Sequence, residues 1–225
     1  AGAELTQAFQ VADAGGAPWS YQYVFKPVEG DAIRLEARVS GDRARAAVFV
    51  PLVVLFPGMG SCGETKTQAP FGGIEYLEGD PSSSEADVRG PESKRRVPAF
   101  HKPTLPLMSV HAEGKYVALA WKPNRRLAPL FDSPDRTFGS GAHLVGLVAP
   151  GSDGANRPDE SALIPFEGAL LTPGEPLVLE ALLFGGAGET AIDAVKHWAR
   201  LTALPSCPAN FDLSAYVPSA AFGWL

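Results

Sequence analysis

In residues 31–52, DAIRLEARVSGDRARAAVFVPL, apolar and charged side chains alternate one for one. Ile33, Leu35, Ala37 and Val39 fall on one face of an extended chain, and Arg34, Glu36 and Arg38 fall on the other. After Gly41-Asp42, the residues Ala44, Ala46, Val48, Val50 and Leu52 take up the same period of two. Two such runs around a short turn read as a β-hairpin, with one face in a core and the charged face turned to water or a polar neighbour.

The same reading extends along the chain. Tyr116 to Trp121 alternates, with Val117, Leu119 and Trp121 on one side. His143 to Ala149 is apolar on both faces and suits a central strand covered from both sides. Leu177 to Phe184 forms another run, entered through the turn at Thr172 to Pro176. Trp19 to Phe25, Leu105 to Val110 and Leu163 to Leu171 are weaker strands, and Pro106 and Pro165 mark the last two as edges or bulges. One helix is indicated: Thr190 with Asp193 has the spacing of a capping box, Ile192, Val195, Trp198 and Ala199 make a stripe, and Pro205 stops it. The expected fold is all-β and mainly antiparallel, a two-sheet supersandwich with one helix near the C-terminus. Residues 1–205 are assigned to the sandwich, and 206–225 to a tail that leads toward a further, helical domain.

Composition agrees with many short strands. The 225 residues include 24 glycines and 21 prolines, above the usual share but below that of a disordered chain. A net charge of −6 argues against general nucleic-acid binding, and Lys94-Arg95-Arg96 and Arg125-Arg126 read as solvated loop charge. The apolar run Ala46 to Phe56 is too short to span a membrane. The chain begins Ala1-Gly2-Ala3, as after removal of a signal peptide or excision of a domain, and the expected location is secreted or periplasmic. Cys62 and Cys207 are the only cysteines, and a disulfide between them is left open.

Gly58-Met59-Gly60-Ser61-Cys62-Gly63 matches a dinucleotide fingerprint letter for letter, yet the chain after it cannot hold the helix that would meet a pyrophosphate. Ser61 lacks the glycine two residues earlier that a nucleophile elbow needs. His101, His111, His143 and His197 have no second His or Cys at ligand spacing, so zinc is not expected, and no cofactor is assigned. Asp153, Asn156, Asp159 and Glu160 are weak calcium candidates, close in sequence but off the EF-hand pattern.

The loop Phe131-Asp132-Ser133-Pro134-Asp135-Arg136, with His143 beyond it, offers two carboxylates, a guanidinium and an imidazole. These groups suit acid–base chemistry or the hydroxyls of a sugar, and they equally suit a turn that satisfies itself. Tyr76 and Glu78 share a face of a short strand where a pyranose could rest. Trp121 is a possible stacking platform, although its face is shared with Val117 and Leu119 and points to a core. The substrate-binding candidates are therefore Tyr76, Glu78, Trp121, Asp132, Asp135, Arg136 and His143.

The phrases Phe71 to Ser84, Leu130 to Gly141 and the turn Pro150 to Gly154 resemble the β-supersandwich of large secreted bacterial carbohydrate-processing enzymes. That fold is similar to galactose mutarotase, and in those proteins it is coupled to an α/α toroid, whose approach the tail from Tyr216 to Leu225 resembles. The resemblance implies a polysaccharide or oligosaccharide ligand, lyase or glycosidase chemistry in the whole protein, and the toroid as a partner domain. No catalytic residue carries over. A structural or adhesive module without a ligand and a stand-alone sugar epimerase or mutarotase are the alternatives.

Overall fold

The computed structural model of this chain describes residues 3–47, 49–60, 62–83, 98, 100–151, 169–202, 212 and 214–216. The strands are β1 (Leu5–Ala12), β2 (Pro18–Val28), β3 (Ala32–Gly41), β4 (Arg45–Ala47), β5 (Val50–Leu55), β6 (Ala69–Phe71) and β7 (Glu75–Leu77). They continue as β8 (Leu107–Ala112), β9 (Lys115–Trp121), β10 (Ala128–Asp132), β11 (Leu144–Ala149), β12 (Ala169–Leu171) and β13 (Leu177–Ala187), followed by the helix α1 (Ala191–Leu201) and a single helical turn at 214–216. An eight-stranded sheet runs β1-β2-β3-β13-β9-β8-β6-β7, and it faces a three-stranded sheet, β10-β11-β5, and a two-stranded one, β12-β4. Every strand pair is antiparallel. The fold is an all-β sandwich with a helix near its C-terminal end.

The stretch 31–52 forms strands, but not a hairpin. β3 pairs with β2 and β13, whereas β4 pairs with β12 and β5 with β11. Gly41 to Arg45 therefore carries the chain from one layer to the other. Alternation states which face of a strand is buried and leaves its partner undefined, so the same pattern serves a hairpin and an interlayer arch. Arg45 holds this corner through ion pairs with Asp13, at 3.1 Å, and with Asp42.

The main core lies between the layers. Leu35, Ala37, Val39, Leu179, Leu119, Trp121, Met108, Val110 and Phe71 of the large sheet meet Leu52, Val53, Phe131, Val145 and Leu147 of the small one. β11 is buried along its whole length because a second cluster, Ala128, Leu130, Leu144 and Val148 under Phe49, Val54 and Phe138, covers its other side. β8 also lies inside the sheet, between β9 and β6, and Pro106 stands just before its first residue, so this proline marks no edge.

Helix α1 packs on the outer face of the large sheet, where Ala194 and Trp198 meet Ala32, Phe184, Ala118 and Ala120. Asp193 accepts the Thr190 N–H at 3.2 Å, and Gln68 Oε1 accepts that of Ala191 at 2.7 Å. The buried stripe differs from the expected one: Ile192 is exposed and His197 is buried. Among the described residues, no helix is long and apolar enough to cross a membrane. Cys62 is a free thiol, and Cys207, residues 152–168 with all four calcium candidates, and most of the tail lie outside the described residues.

Candidate functional site

The loop after β10 is drawn into a tight knot. Asp132 is fully buried at the end of β10, where Oδ1 accepts the Ser82 hydroxyl at 2.8 Å and Oδ2 accepts the Arg136 N–H at 2.8 Å. Ser82 Oγ in turn accepts the Ser133 N–H at 3.1 Å, and Ser82 N–H donates to the Ser133 carbonyl at 2.7 Å. Arg136 Nη2 donates to the Ser82 carbonyl at 3.2 Å. Asp135 accepts the N–H groups of Phe138 at 3.0 Å and Ser140 at 2.9 Å, so its carboxylate shapes the turn that follows.

His143 stands at the start of β11 behind this loop. Its Nε2 lies 3.2 Å from the Glu64 carbonyl, which can only accept, so Nε2 carries the proton. Nδ1 is then the acceptor, and the Ser133 hydroxyl donates to it at 2.9 Å. Burial pulls the His143 pKa below the usual imidazole value, and the nearby Lys66 ammonium pulls it further down. Lys66 is itself half-buried and its pKa is lowered by that burial, against the opposing pull of Asp80 and Glu75. Ser133 and His143 have the contact of a nucleophile and its base, yet Ser133 is 0% exposed and His143 6%.

The structure thus gathers Asp132, Asp135, Arg136 and His143, and adds Ser82, Ser133 and Lys66, which sequence reading missed. Ser82 lies 50 residues from Asp132, so spacing gave no signal for it. β7 is tied to the same region, because Ser83 N–H donates to Glu75 Oε1 at 2.6 Å. Tyr76 is exposed in β7 and Glu78 is exposed in the bend just after it, while Leu77 is buried. Trp121 stands apart in the main core with its ring 6.3 Å from that of Phe71, and at 8% exposure it presents no open face for stacking. Among the described residues no group of His, Cys, Asp and Glu gathers as a metal site. No helix follows Gly63 in the residues up to β6.

An open groove of about 520 Å³ lies elsewhere, on the outer face of β1 to β3. The register sets Gln10, Ser20 and Ser40 in one row across the three strands, and Ala8, Gln22 and Arg38 in the next. Gln10 Nε2 donates to Ser20 Oγ at 3.3 Å, and Arg38 Nε donates to Glu36 at 2.6 Å. Amides, hydroxyls and one guanidinium therefore form its floor, with Pro176 at the rim. Beneath it, the inward face of the same strands carries a row of rings: Phe9 and Tyr21 are stacked at 5.4 Å, Tyr21 and Tyr23 at 6.3 Å, and Tyr23 and Phe25 at 6.1 Å.

No family model and no curated protein matches this chain. Among solved structures it is similar to a GalM/aldose epimerase homologue from C. elegans, with 8% sequence identity and a TM-score of 0.39 over 82% of this chain. The aligned part is 66% of that structure, so the chain spans just under two thirds of its length.

Proposed function

We propose that this chain is the carbohydrate-handling β-sandwich of a larger secreted polysaccharide-degrading enzyme, a lyase or glycoside hydrolase, and that it forms one wall of a glycan cleft. The observation that carries the reading is the groove on β1 to β3. Its floor is a grid of Gln10, Ser20, Ser40, Gln22 and Arg38 without a lining carboxylate. Side-chain amides both donate and accept, hydroxyls do the same, and a guanidinium supplies a fork of donors. Strands about 4.8 Å apart repeat this set across the sheet, as a ligand with repeating hydroxyls requires. The catalytic groups belong to the partner toroid or to its junction with the sandwich, and since Glu36 balances Arg38 beside the floor, the grid of amides and hydroxyls fits a polymer recognised by its hydroxyls.

The test is affinity electrophoresis of the purified chain against neutral and acidic polysaccharides, beside a Gln22→Ala/Arg38→Ala double variant. Both side chains are exposed, so the variant should fold as the parent does. Retardation of the parent by one polymer, lost in the variant, supports the reading. No retardation, or equal retardation of both proteins, refutes it. The ligand-free structural or adhesive module is the second reading. It is favoured by the knot around Asp132, in which carboxylates, serines and His143 satisfy one another and the backbone.

A further inference from the structure

We propose that the cavity between the C-terminal half of α1 and the β2–β3 turn is a second binding site, for an uncharged polyol of monosaccharide size. This inference does not rest on the glycan groove, which lies at the other end of β3. The cavity measures about 440 Å³ and is lined by Glu29, Asp31, Tyr116, Gly186, His197 and Arg200, among others. That volume falls in the usual range for small-ligand sites, roughly 300–1,000 Å³.

Its back wall is a buried polar chain of fixed direction. His197 Nε2 lies 2.6 Å from the Gly30 carbonyl, which can only accept, so the ring proton sits on Nε2. His197 Nδ1 is then an acceptor and takes the Tyr116 O–H at 2.7 Å. Tyr116 and His197 are each 6% exposed. With its proton committed, Tyr116 Oη faces any ligand as an acceptor alone. Gly186 stands beside it, and a Cβ there would lie 3.2 Å from Oη. Without a side chain at Gly186, Tyr116 lines the cavity wall. The turn that supplies the Gly30 carbonyl holds Asp31 at φ 55°, a left-handed conformation that non-glycine residues rarely adopt.

Ligand class follows from the count of donors and acceptors. Tyr116 Oη, Glu29 and Asp31 accept, while Arg200 donates. A molecule rich in hydroxyl donors complements that set, and one with its own carboxylate would meet a rim where two carboxylates outnumber the one guanidinium. The glycine edge admits a ring against the strand, and Arg200 can hold a ring or hydroxyl oxygen from the opposite side.

The experiment titrates the full chain with galactose and, separately, galacturonate, which share a ring and differ in charge. NMR signals of the His197 ring and the Gly186 amide report on the cavity. Galactose should shift both signals saturably, and galacturonate should bind at least about tenfold more weakly. Arg200→Ala and Gly186→Ala should each weaken galactose by a similar factor; Arg200 is exposed, so its variant should keep the parent's melting temperature, whereas the Gly186→Ala Cβ presses on the Tyr116 hydroxyl and should lower it modestly. The Gln22→Ala/Arg38→Ala variant should bind galactose as the parent does, which separates this site from the groove. Absence of saturable shifts, preference for galacturonate, indifference to both cavity variants, or loss of binding in the groove variant would each overturn the proposal.

Discussion

Replacing Asp132 by alanine decides whether the loop after β10 is a site or a brace. The carboxylate accepts the Ser82 hydroxyl and the Arg136 N–H, both at 2.8 Å, and is fully buried. Hydrogen bonds to a charged acceptor contribute about 1.5–3 kcal/mol each, and a buried donor left unpaired costs on that same scale. Losing two of them should therefore lower stability by about 3–5 kcal/mol, a large part of the roughly 5–15 kcal/mol that holds a domain together. Asp132→Asn keeps one acceptor oxygen but turns an amide donor toward the other partner, so its loss should be smaller, about 1–3 kcal/mol. Equilibrium urea unfolding followed by tryptophan fluorescence measures both. The expected order is parent, then Asn, then Ala, with unchanged slope. A loss below about 1 kcal/mol for Asp132→Ala would show that the carboxylate is not holding those donors, and the brace argument would fall.

Acidification should destabilise the chain before its carboxylates titrate. The pKa values of His143 and His111 are lowered in the fold, chiefly by burial, so the unfolded chain binds more protons below about pH 6.5. The stability they contribute is complete above that pH and is lost as pH falls toward the folded values; His143→Gln should flatten the slope of melting temperature between neutral pH and pH 5, and an unaltered slope would contradict the assignment. Gly146 lies in β11 where a Cβ would come 2.7 Å from the Val53 carbonyl, so Gly146→Ala should cost about 1–3 kcal/mol in thermal unfolding, and a neutral result would mean that β5 can give way. Tyr21 is pushed up to about 12 by burial, with Tyr23 adding to the shift. In an alkaline titration of the phenolate band the Tyr21 phenol should ionise well above the free value of 10, with its stabilising effect full below pH 10 and fading toward pH 12, and loss of that late phase should accompany Tyr21→Phe; a band unchanged by Tyr21→Phe above pH 10 would refute this.

What could be read from the sequence was whatever a strand or helix records about its own faces. β11 announced itself through an unbroken apolar run, since both of its sides are covered. β9 showed its alternation and β13 its apolar run, and Thr190 with Asp193 marked the start of α1. The partner of a strand is not recorded in that way, which is why residues 31–52 read as a hairpin. β1 escaped notice because it is exposed along both faces, so burial has imposed no clear pattern on it. His197 was passed over for the helix stripe because its burial depends on Tyr116 and Gly30, 81 and 167 residues away. The residues of the Asp132 knot were legible as types, but their mutual engagement through Ser82 was not.

The arch at Gly41 to Arg45 also explains why the surface concavities lie where they do. By sending the chain across to β4 and β5, it leaves β2 and β1 to extend the large sheet past the smaller layer. Leu5, Phe9 and Val11 are accordingly exposed on the inward side, at 63%, 40% and 47%. What backs the groove there is the stacked row of Phe9, Tyr21, Tyr23 and Phe25, joined to the other layer by the Tyr23 hydroxyl donating to the Leu52 carbonyl at 2.7 Å. Such rings are wide and have few rotatable bonds, so they stiffen a sheet edge that the second layer covers only in part. The outer face of the same strands is then free of any packing duty, and Gln10, Ser20, Gln22 and Arg38 can be polar without loss to the core. At the other end of β3 the helix covers the sheet, and the residues left open are those at its margin, Glu29 to Asp31 and Arg200. A true hairpin at Gly41 whose second strand took the place of β2 would have removed the groove's second row of Gln22 beside Arg38.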